Sequence, residues 1–220
     1  MVIIYLQSPL SHIKNIEVRG NYLLNEEEII EKSGLEIGNS IWNMASEKKE
    51  SALEEMAEVA TAEVSRSLPN TAVITVSEHP RVAYLFNDGK YYPILSTGLF
   101  LNEVSREDFP SDAPLLIEWE EGEPLIEMAG QLKEMPEQLV ERISEILFTP
   151  TDSDPFAITL YMNDGFQVQS TIRNFAERLA PYPSIVQELD PEKKGVLHMR
   201  MSPYFEEFVD EEESENEGEG

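Results

Sequence analysis

The first third of the chain has a pattern of apolar and polar positions that predicts a small β-α-α-β-β unit. Ile16 and Val18 alternate with charged neighbours, which is typical of a strand. Asn25 stands three residues before Glu28, a spacing that favours a helix start. Pro69 marks a turn between two alternating runs. The predicted elements are a strand at 13–22, a helix from Asn25, a helix at 47–60 and a hairpin of strands at 61–67 and 72–78.

A second and larger set of elements follows Pro80. Asn87-Asp88-Gly89 and Asn163-Asp164-Gly165 are tight hairpin turns between apolar runs. Pro136 suits the first turn of a helix whose apolar stripe extends to residue 148. The pattern predicts strands at 81–86, 91–95, 99–101, 115–119, 156–162, 166–169 and 195–201, and helices at 125–135, 137–148, 171–179 and 183–189.

The step between these two sets is Glu78-His79-Pro80-Arg81. Pro80 has no N–H and restricts His79 to extended backbone, so a strand passes this point only at an edge or where its pairing changes. The step therefore predicts a boundary between two domains. His79 and Arg81 are either polar residues beside that boundary or, together with Glu78 and Pro80, a hinge that orients the domains. The fold class is α+β, with domains at 11–78 and 79–205, a linker or end of a membrane helix at 1–10, and a tail at 206–220.

The net charge of −27 excludes whole classes of partner. The chain has 43 acidic and 16 basic residues and no cysteine. Such a surface repels nucleic acid and anionic lipid, and the absence of cysteine excludes disulfides and thiolate sites. Nine of the acids lie after Tyr204-Phe205, where apolar residues become rare, so residues 206–220 are predicted to be a disordered acidic tail.

No catalytic or metal-binding motif is evident. The three histidines, His12, His79 and His198, are far apart in sequence, and no nucleophile elbow, zinc-protease motif or phosphate loop occurs. The sequence therefore predicts a protein without enzymatic activity, cofactor or metal. Residues 2–6 are apolar but are too few to cross a bilayer. They are either a short first strand or the outer end of a membrane helix.

The last predicted strand is the best candidate for a binding site. Leu197, Met199 and Met201 fall on one face, which suits a core, and Val196, His198 and Arg200 fall on the other. From the residues alone, this is an ordinary edge strand. An edge strand that lacks a neighbour also offers backbone groups to a partner strand.

Several segments, in this order, resemble the bacterial cell-division family FtsQ/DivIB. They are "IKNIEVRGN", "SGLEIGNSIW", "AEVSRSLPNTAVITVSEHPRVAYL", "LYMNDGFQV" and "FAERLAPYPSIVQEL". The last two are similar to the Gram-positive DivIB branch. The resemblance covers residues 8–201. It implies a membrane helix before this region, an extracytoplasmic POTRA domain, and a following β domain in a non-enzymatic scaffold of the division septum.

The resemblance also implies partners. The family binds the small division proteins FtsB, or DivIC in Gram-positive bacteria, and FtsL, at the C-terminal edge of the β domain. The implied site is residues Val196, Leu197, His198, Met199, Arg200 and Met201, with Tyr204 and Phe205 as aromatic anchors. The alternative for Tyr204 and Phe205 is that both rings pack on their own domain. Because the chain is so acidic, we expect a basic partner segment whose binding weakens with salt.

Two other functions are compatible with the residues. A POTRA-type chaperone or export module would handle unfolded β segments, but an outer-membrane assembly protein would add further POTRA units or a barrel. A wall hydrolase that uses two carboxylates would need a cleft holding one carboxyl of raised pKa.

Overall fold

The computed structural model describes residues 11–101, 112–190 and 193–208. The chain divides into two compact units, Met1–His79 and Pro80–Gly220. The strands on the two sides of Pro80 belong to different sheets, so strand pairing does change at this step. The apolar residues 2–6 and the predicted tail from residue 209 onward lie outside the described residues. No helix in the described ranges is long and apolar enough to cross a membrane.

The first unit has the predicted β-α-α-β-β order. Its elements are β1 (Asn15–Arg19), α1 (Glu26–Ser33), α2 (Ser46–Glu54), β2 (Val59–Ser67) and β3 (Thr71–Glu78). The sheet order is β1-β3-β2, with β1 parallel and β2 antiparallel to β3. The helix predicted at 47–60 ends at Glu54, because Val59 already begins the edge strand and is buried in the core of this unit.

Two side chains fix the ends of elements in the first unit. The Asn25 side chain accepts a hydrogen bond from the Glu28 amide at 2.9 Å, which confirms the predicted helix start. The Glu78 carboxylate, at the end of β3, accepts the amides of Tyr22, Leu23 and Leu24 at 3.1, 2.8 and 3.1 Å. These three amides precede α1, so Glu78 ties the loop after β1 to the end of the sheet.

The second unit contains one eight-stranded mixed sheet. Its strands are β4 (Arg81–Asn87), β5 (Lys90–Leu95), β6 (Leu115–Ile117), β7 (Ile143–Phe148), β8 (Ala157–Met162), β9 (Gln167–Thr171), β10 (Gly195–His198) and β11 (Tyr204–Glu207). Its helices are α3 (Glu123–Glu134), α4 (Glu137–Val140), α5 (Phe175–Leu179) and α6 (Tyr182–Glu188). The sheet order is β11-β10-β9-β8-β7-β6-β4-β5.

Two predicted elements of this unit are wrong. The helix predicted at 137–148 is a single turn, α4, followed by strand β7, which pairs with β6 on one side and β8 on the other. Ile143 and Ile146 are buried in the structure, as the predicted helix also required, so the apolar stripe could not distinguish a helix from a strand. The strand predicted at 99–101 is only an isolated bridge between Phe100 and Ile94.

The core of the second unit lies between the sheet and its helices. One buried cluster joins side chains of α3 and α5 to the core face of the strands. It includes Leu125, Met128 and Leu132 of α3, Phe175 and Leu179 of α5, and Ile146, Leu160, Val168 and Leu197 of the strands. Alternate strand positions point to the other face, which includes the exposed Tyr161 and the half-buried Gln167 and Gln169. The two faces of β9 and β10 are thus chemically distinct.

A buried tyrosine in this core predicts a loss of stability at alkaline pH. The Tyr182 hydroxyl donates to Asp164 Oδ1 at 2.7 Å. Burial, and secondly the hydrogen bond to Asp164, raise the pKa of Tyr182 well above that of an exposed tyrosine. Because the folded-state pKa is the higher one, this stabilisation is complete below about pH 10 and is lost as the pH rises further.

We therefore expect the free energy of unfolding to fall more steeply above about pH 10 in the unaltered chain than in the Tyr182→Phe variant. Urea unfolding at about pH 8 and about pH 11 measures both slopes. Equal slopes would show that Tyr182 does not contribute to the alkaline loss.

Candidate partner-binding edge

The strand predicted as the free edge is an interior strand. β10 is parallel to β9 on one side and antiparallel to β11 on the other, so both of its backbone edges are paired. The prediction that residues 195–201 offer an open edge is wrong for this reason. The strand also stops at His198, three residues earlier than predicted.

The outer strand of the sheet at this end is β11. Its register places Tyr204 opposite His198, Phe205 opposite Leu197, Glu206 opposite Val196 and Glu207 opposite Gly195. Glu206 and Glu207 therefore do not belong to a disordered tail, which corrects the predicted tail boundary at residue 206. This strand was not predicted from the sequence because it is four residues long and lies in an acidic stretch. The Ser202-Pro203 turn was the available signal.

The backbone of β11 offers hydrogen-bonding groups on its outer side. The Phe208 amide donates to the Lys194 carbonyl at 3.0 Å, so these residues form a hydrogen-bonded pair with β10. Because such pairs alternate along an antiparallel ladder, the amides and carbonyls of Phe205 and Glu207 point away from β10. No strand of the described residues pairs with that outer side.

The side chains of β11 are divided between the two faces of the sheet. Phe205 packs on the core, with its ring edge-on to Phe166 at 6.0 Å between centroids. Tyr204 lies on the opposite face, stacked on the His198 ring at 4.4 Å, and remains 57% exposed. Glu206 on that same face is 2.8 Å from His198 Nε2. Of the two predicted aromatic anchors, Phe205 is thus a core residue and Tyr204 is accessible.

The other residues of the predicted site have different environments. Leu197 and Met199 are buried in the core, and Val196 is buried on the opposite face. Arg200 is half-buried, with its Nε 4.0 Å from Asp154 Oδ2 and its carbonyl accepting from Arg178. Met201 was predicted to share the core face but is 87% exposed, because the chain leaves the strand after His198. The structure therefore makes Met201, Tyr204 and Phe208 the exposed apolar residues of this region.

The opposite end of the sheet differs from β11. β5 is the outer strand there, but the segment after it folds back along its outer side. The Leu95 amide donates to the Leu99 carbonyl at 2.8 Å, and the Leu101 amide donates to the Pro93 carbonyl at 3.0 Å. Proline at position 93 also lacks an amide. Within the described residues, β11 is thus the more accessible end of this sheet.

The close approach of β11 to β10 depends on Gly195. A Cβ at this position would lie 2.2 Å from the Glu206 carbonyl oxygen and 2.6 Å from Cζ of Phe205. We expect Gly195→Ala to lower the free energy of unfolding by about 1–3 kcal/mol, because the added methyl forces the two strands apart.

Gly130→Ala is the matched control for that substitution. A Cβ at position 130 in α3 meets no atom within 4 Å, so this change leaves the protein as stable or raises its stability by about 0.5–1 kcal/mol. Urea unfolding compares the two variants, and equal stabilities would contradict the tight strand contact.

The four residues at the predicted hinge each have a local partner. The Glu78 carboxylate holds three amides of the first unit, and the His79 amide donates to the Glu58 carbonyl at 2.7 Å. The Pro80 carbonyl accepts from the Ser96 amide at 2.8 Å, and Arg81 pairs with Asp112 at 2.8 Å. The division of the chain falls between His79 and Pro80. A hinge role for these residues stays a prediction.

Comparison with known proteins covers both units. Residues 11–79 match the FtsQ-type POTRA domain, and residues 83–200 match the C-terminal domain of cell division protein FtsQ/DivIB. Cell division protein DivIB of Bacillus subtilis (strain 168) is 40% identical over 210 residues, covering 94% of this chain and 79% of the relative. DivIB of Geobacillus kaustophilus (strain HTA426) is 38% identical over 205 residues, covering 93% and 78%. The solved major extracytoplasmic domain of the trans isomer of DivIB from Geobacillus stearothermophilus is 40% identical, covers 53% of this chain and 98% of that domain, and has a TM-score of 0.47.

Proposed function

This chain belongs to the FtsQ/DivIB family of cell division proteins, and on that premise we propose that it is a non-enzymatic scaffold of the divisome. In this proposal it binds DivIC/FtsB-like and FtsL-like division proteins outside the membrane, at the septum. The binding site is the outer edge of β11, where a partner strand extends the sheet. The observation that carries the proposal is the row of outward backbone groups at Phe205 and Glu207.

Strand addition at β11 would give partners to outward backbone groups that no strand of the described residues pairs with. Two outward amides and two outward carbonyls allow four backbone hydrogen bonds with an incoming strand. Such bonds give little sequence specificity by themselves, so side chains beside the edge have to supply it. Met201, Tyr204 and Phe208 are exposed apolar groups within this short segment. Tyr204 is held in place by its stacking on His198, which lowers the entropy lost when a partner covers it.

The charge around the edge favours a basic partner. Glu206 and Glu207 are exposed on β11, and the chain as a whole carries a net charge of −27. Two groups already lie beside these carboxylates, Lys193 Nζ at 2.7 Å from Glu207 and the His198 ring at 2.8 Å from Glu206, so most of the attraction comes from the net charge of the whole chain. A strand rich in Lys or Arg would therefore be attracted to this edge, and screening by salt would weaken that attraction.

The proposal is tested by titrating purified DivIC-like and FtsL-like ectodomains into this protein at about 50 mM and about 500 mM salt. We expect binding that weakens by roughly tenfold or more at the higher salt concentration. We also expect the amides of Phe205 and Glu207 to become protected from hydrogen exchange in the complex. Binding without that protection would reject β11 as the site, and no binding at either salt concentration would reject the scaffold role.

A further inference from the structure

The first unit has an outer strand, β2, in which two backbone amides donate to side chains of the same chain. β2 is nine residues long and pairs only with β3 among the described strands. The Val64 amide donates to Glu50 Oε1 at 2.8 Å, and the Ala62 amide donates to Glu54 Oε1 at 3.3 Å. Both glutamates belong to α2, which packs beside the strand. Two of the amides that an incoming strand would use are therefore already bonded to carboxylates.

The spacing of the two glutamates matches the spacing of the two amides. Residues four apart on a helix are separated by about 6 Å along its axis, and residues two apart on a strand are separated by about 6.8 Å. Glu50 bonds the later strand residue and Glu54 the earlier one, so helix and strand run in opposite directions along the contact. The two bonds thus form a regular ladder between α2 and β2.

The packing of α2 holds the glutamates in this position. Leu53, between them in sequence, is fully buried in the core of the first unit together with Val59 and Val64 of β2. The Lys49 ammonium donates to the carbonyls of Ser33 and Gly34 at 3.0 and 2.6 Å, which ties the same helix to the end of α1. Leu53 and Lys49 thus fix the position of α2. The Glu50 and Glu54 carboxylates are therefore held beside β2 by the packing of the helix.

We propose that Glu50 and Glu54 close the β2 edge to strand addition. A strand that approached β2 would have to present its carbonyl oxygens to the amides of Ala62 and Val64. The two carboxylates already accept from these amides and repel carbonyl oxygens, which also carry negative partial charge. A free edge of nine residues is an aggregation hazard, and charged groups that cover it are a known means of protection. The closed β2 edge would leave strand-mediated docking to the second unit.

The experiment compares the E50A/E54A variant with E50Q/E54Q and with the single variant E47A. Alanine removes both acceptors and keeps a good helix former. Glutamine removes the same two charges but retains a carbonyl acceptor at each position. Glu47 is an exposed acid in the first turn of the same helix, which makes E47A a control for an acid-to-alanine change on α2.

Two quantities are measured on the whole chain. Hydrogen exchange reports the amides of Ala62 and Val64, and we expect exchange in E50A/E54A to be at least about tenfold faster than in the other proteins. Sedimentation velocity at about 500 mM salt, which screens the repulsion between chains, reports self-association over a range of concentrations. We expect a concentration-dependent larger species in E50A/E54A that is absent or much weaker in the unaltered chain, E50Q/E54Q and E47A.

Each outcome is decisive. Faster exchange together with new self-association in E50A/E54A alone supports the proposal. Unchanged exchange would show that the carboxylates do not hold these amides. Faster exchange without self-association would show that the edge is not closed by the glutamates. Self-association in E50Q/E54Q as strong as in E50A/E54A would assign the effect to charge instead of to occupied amides.

Discussion

Replacing Leu197 by alanine is expected to lower the free energy of unfolding by about 2–5 kcal/mol, the usual cost of removing a fully buried leucine. Leu197 has no exposed surface and lies in β10, between β9 and β11. Its neighbours in the core include Val168 and Phe205 on the adjoining strands, in register with it. These rigid strand residues limit how far the site can collapse, so the cavity left by the substitution persists.

Met201→Ala is the matched control, since both residues were assigned to one face from the sequence. Met201 is 87% exposed, and its truncation is expected to change the free energy of unfolding by less than about 0.5 kcal/mol. Urea unfolding curves give both values. Similar losses for Leu197→Ala and Met201→Ala would mean that β10 is not the interior strand that the structure shows.

The contrast between Leu197 and Met201 shows how far periodicity could predict this fold. Alternation correctly placed Leu197 and Met199 in the core, because both lie in or directly beside the strand. It failed at Met201, because where a strand ends depends on the strand beside it. The β9–β10 pairing continues to the Met199 amide, which donates to Gln169 at 2.8 Å, and the chain then turns away. The sequence of residues 195–201 by itself does not indicate where the strand ends.

The β-α-α-β-β unit was more predictable because its signals are local. The helix start at Asn25 and the hairpin turn at Pro69 involve residues close in sequence, and both correspond to element boundaries in the structure. The contact of Glu78 with the amides of residues 22–24 joins positions more than 50 residues apart, so no sequence pattern could show it. The same holds for the β11 edge, whose accessibility depends on which strands pair elsewhere.

The error at β7 has a different origin. Ile143, Ile146 and Leu147 fit a helical stripe, and nothing in their order excludes a helix. In β7 the register with β8 shifts between Ile143 and Glu145, so Ile143 and Ile146 lie in the same core although they are three residues apart, the spacing of a helix. The tertiary pairing with β6 and β8 decides between the two structures.

The second large effect is expected for Glu207→Pro in the binding of a DivIC-like ectodomain. Proline removes the outward amide at position 207 and leaves a partner carbonyl without a donor. An unmade backbone hydrogen bond of this kind costs about 1–3 kcal/mol, so the affinity should fall by roughly tenfold or more. Proline is tolerated on an edge strand where the N–H side faces solvent, so the protein should remain folded.

Glu207→Ala is the control that separates the backbone from the side chain. It removes the ion pair with Lys193, in which both side chains are half exposed, and keeps the amide. Exposed pairs of this type contribute little. We therefore expect Glu207→Ala to bind the partner within about threefold of the unaltered chain, allowing for the removed charge.

Calorimetric titration of a DivIC-like ectodomain into the unaltered chain, Glu207→Ala and Glu207→Pro tests strand addition at β11 most directly. The proposed mechanism predicts strong weakening for Glu207→Pro alone, with unfolding curves that show all three proteins folded. Binding of the folded Glu207→Pro protein with unchanged affinity would contradict a site at the outer edge of β11.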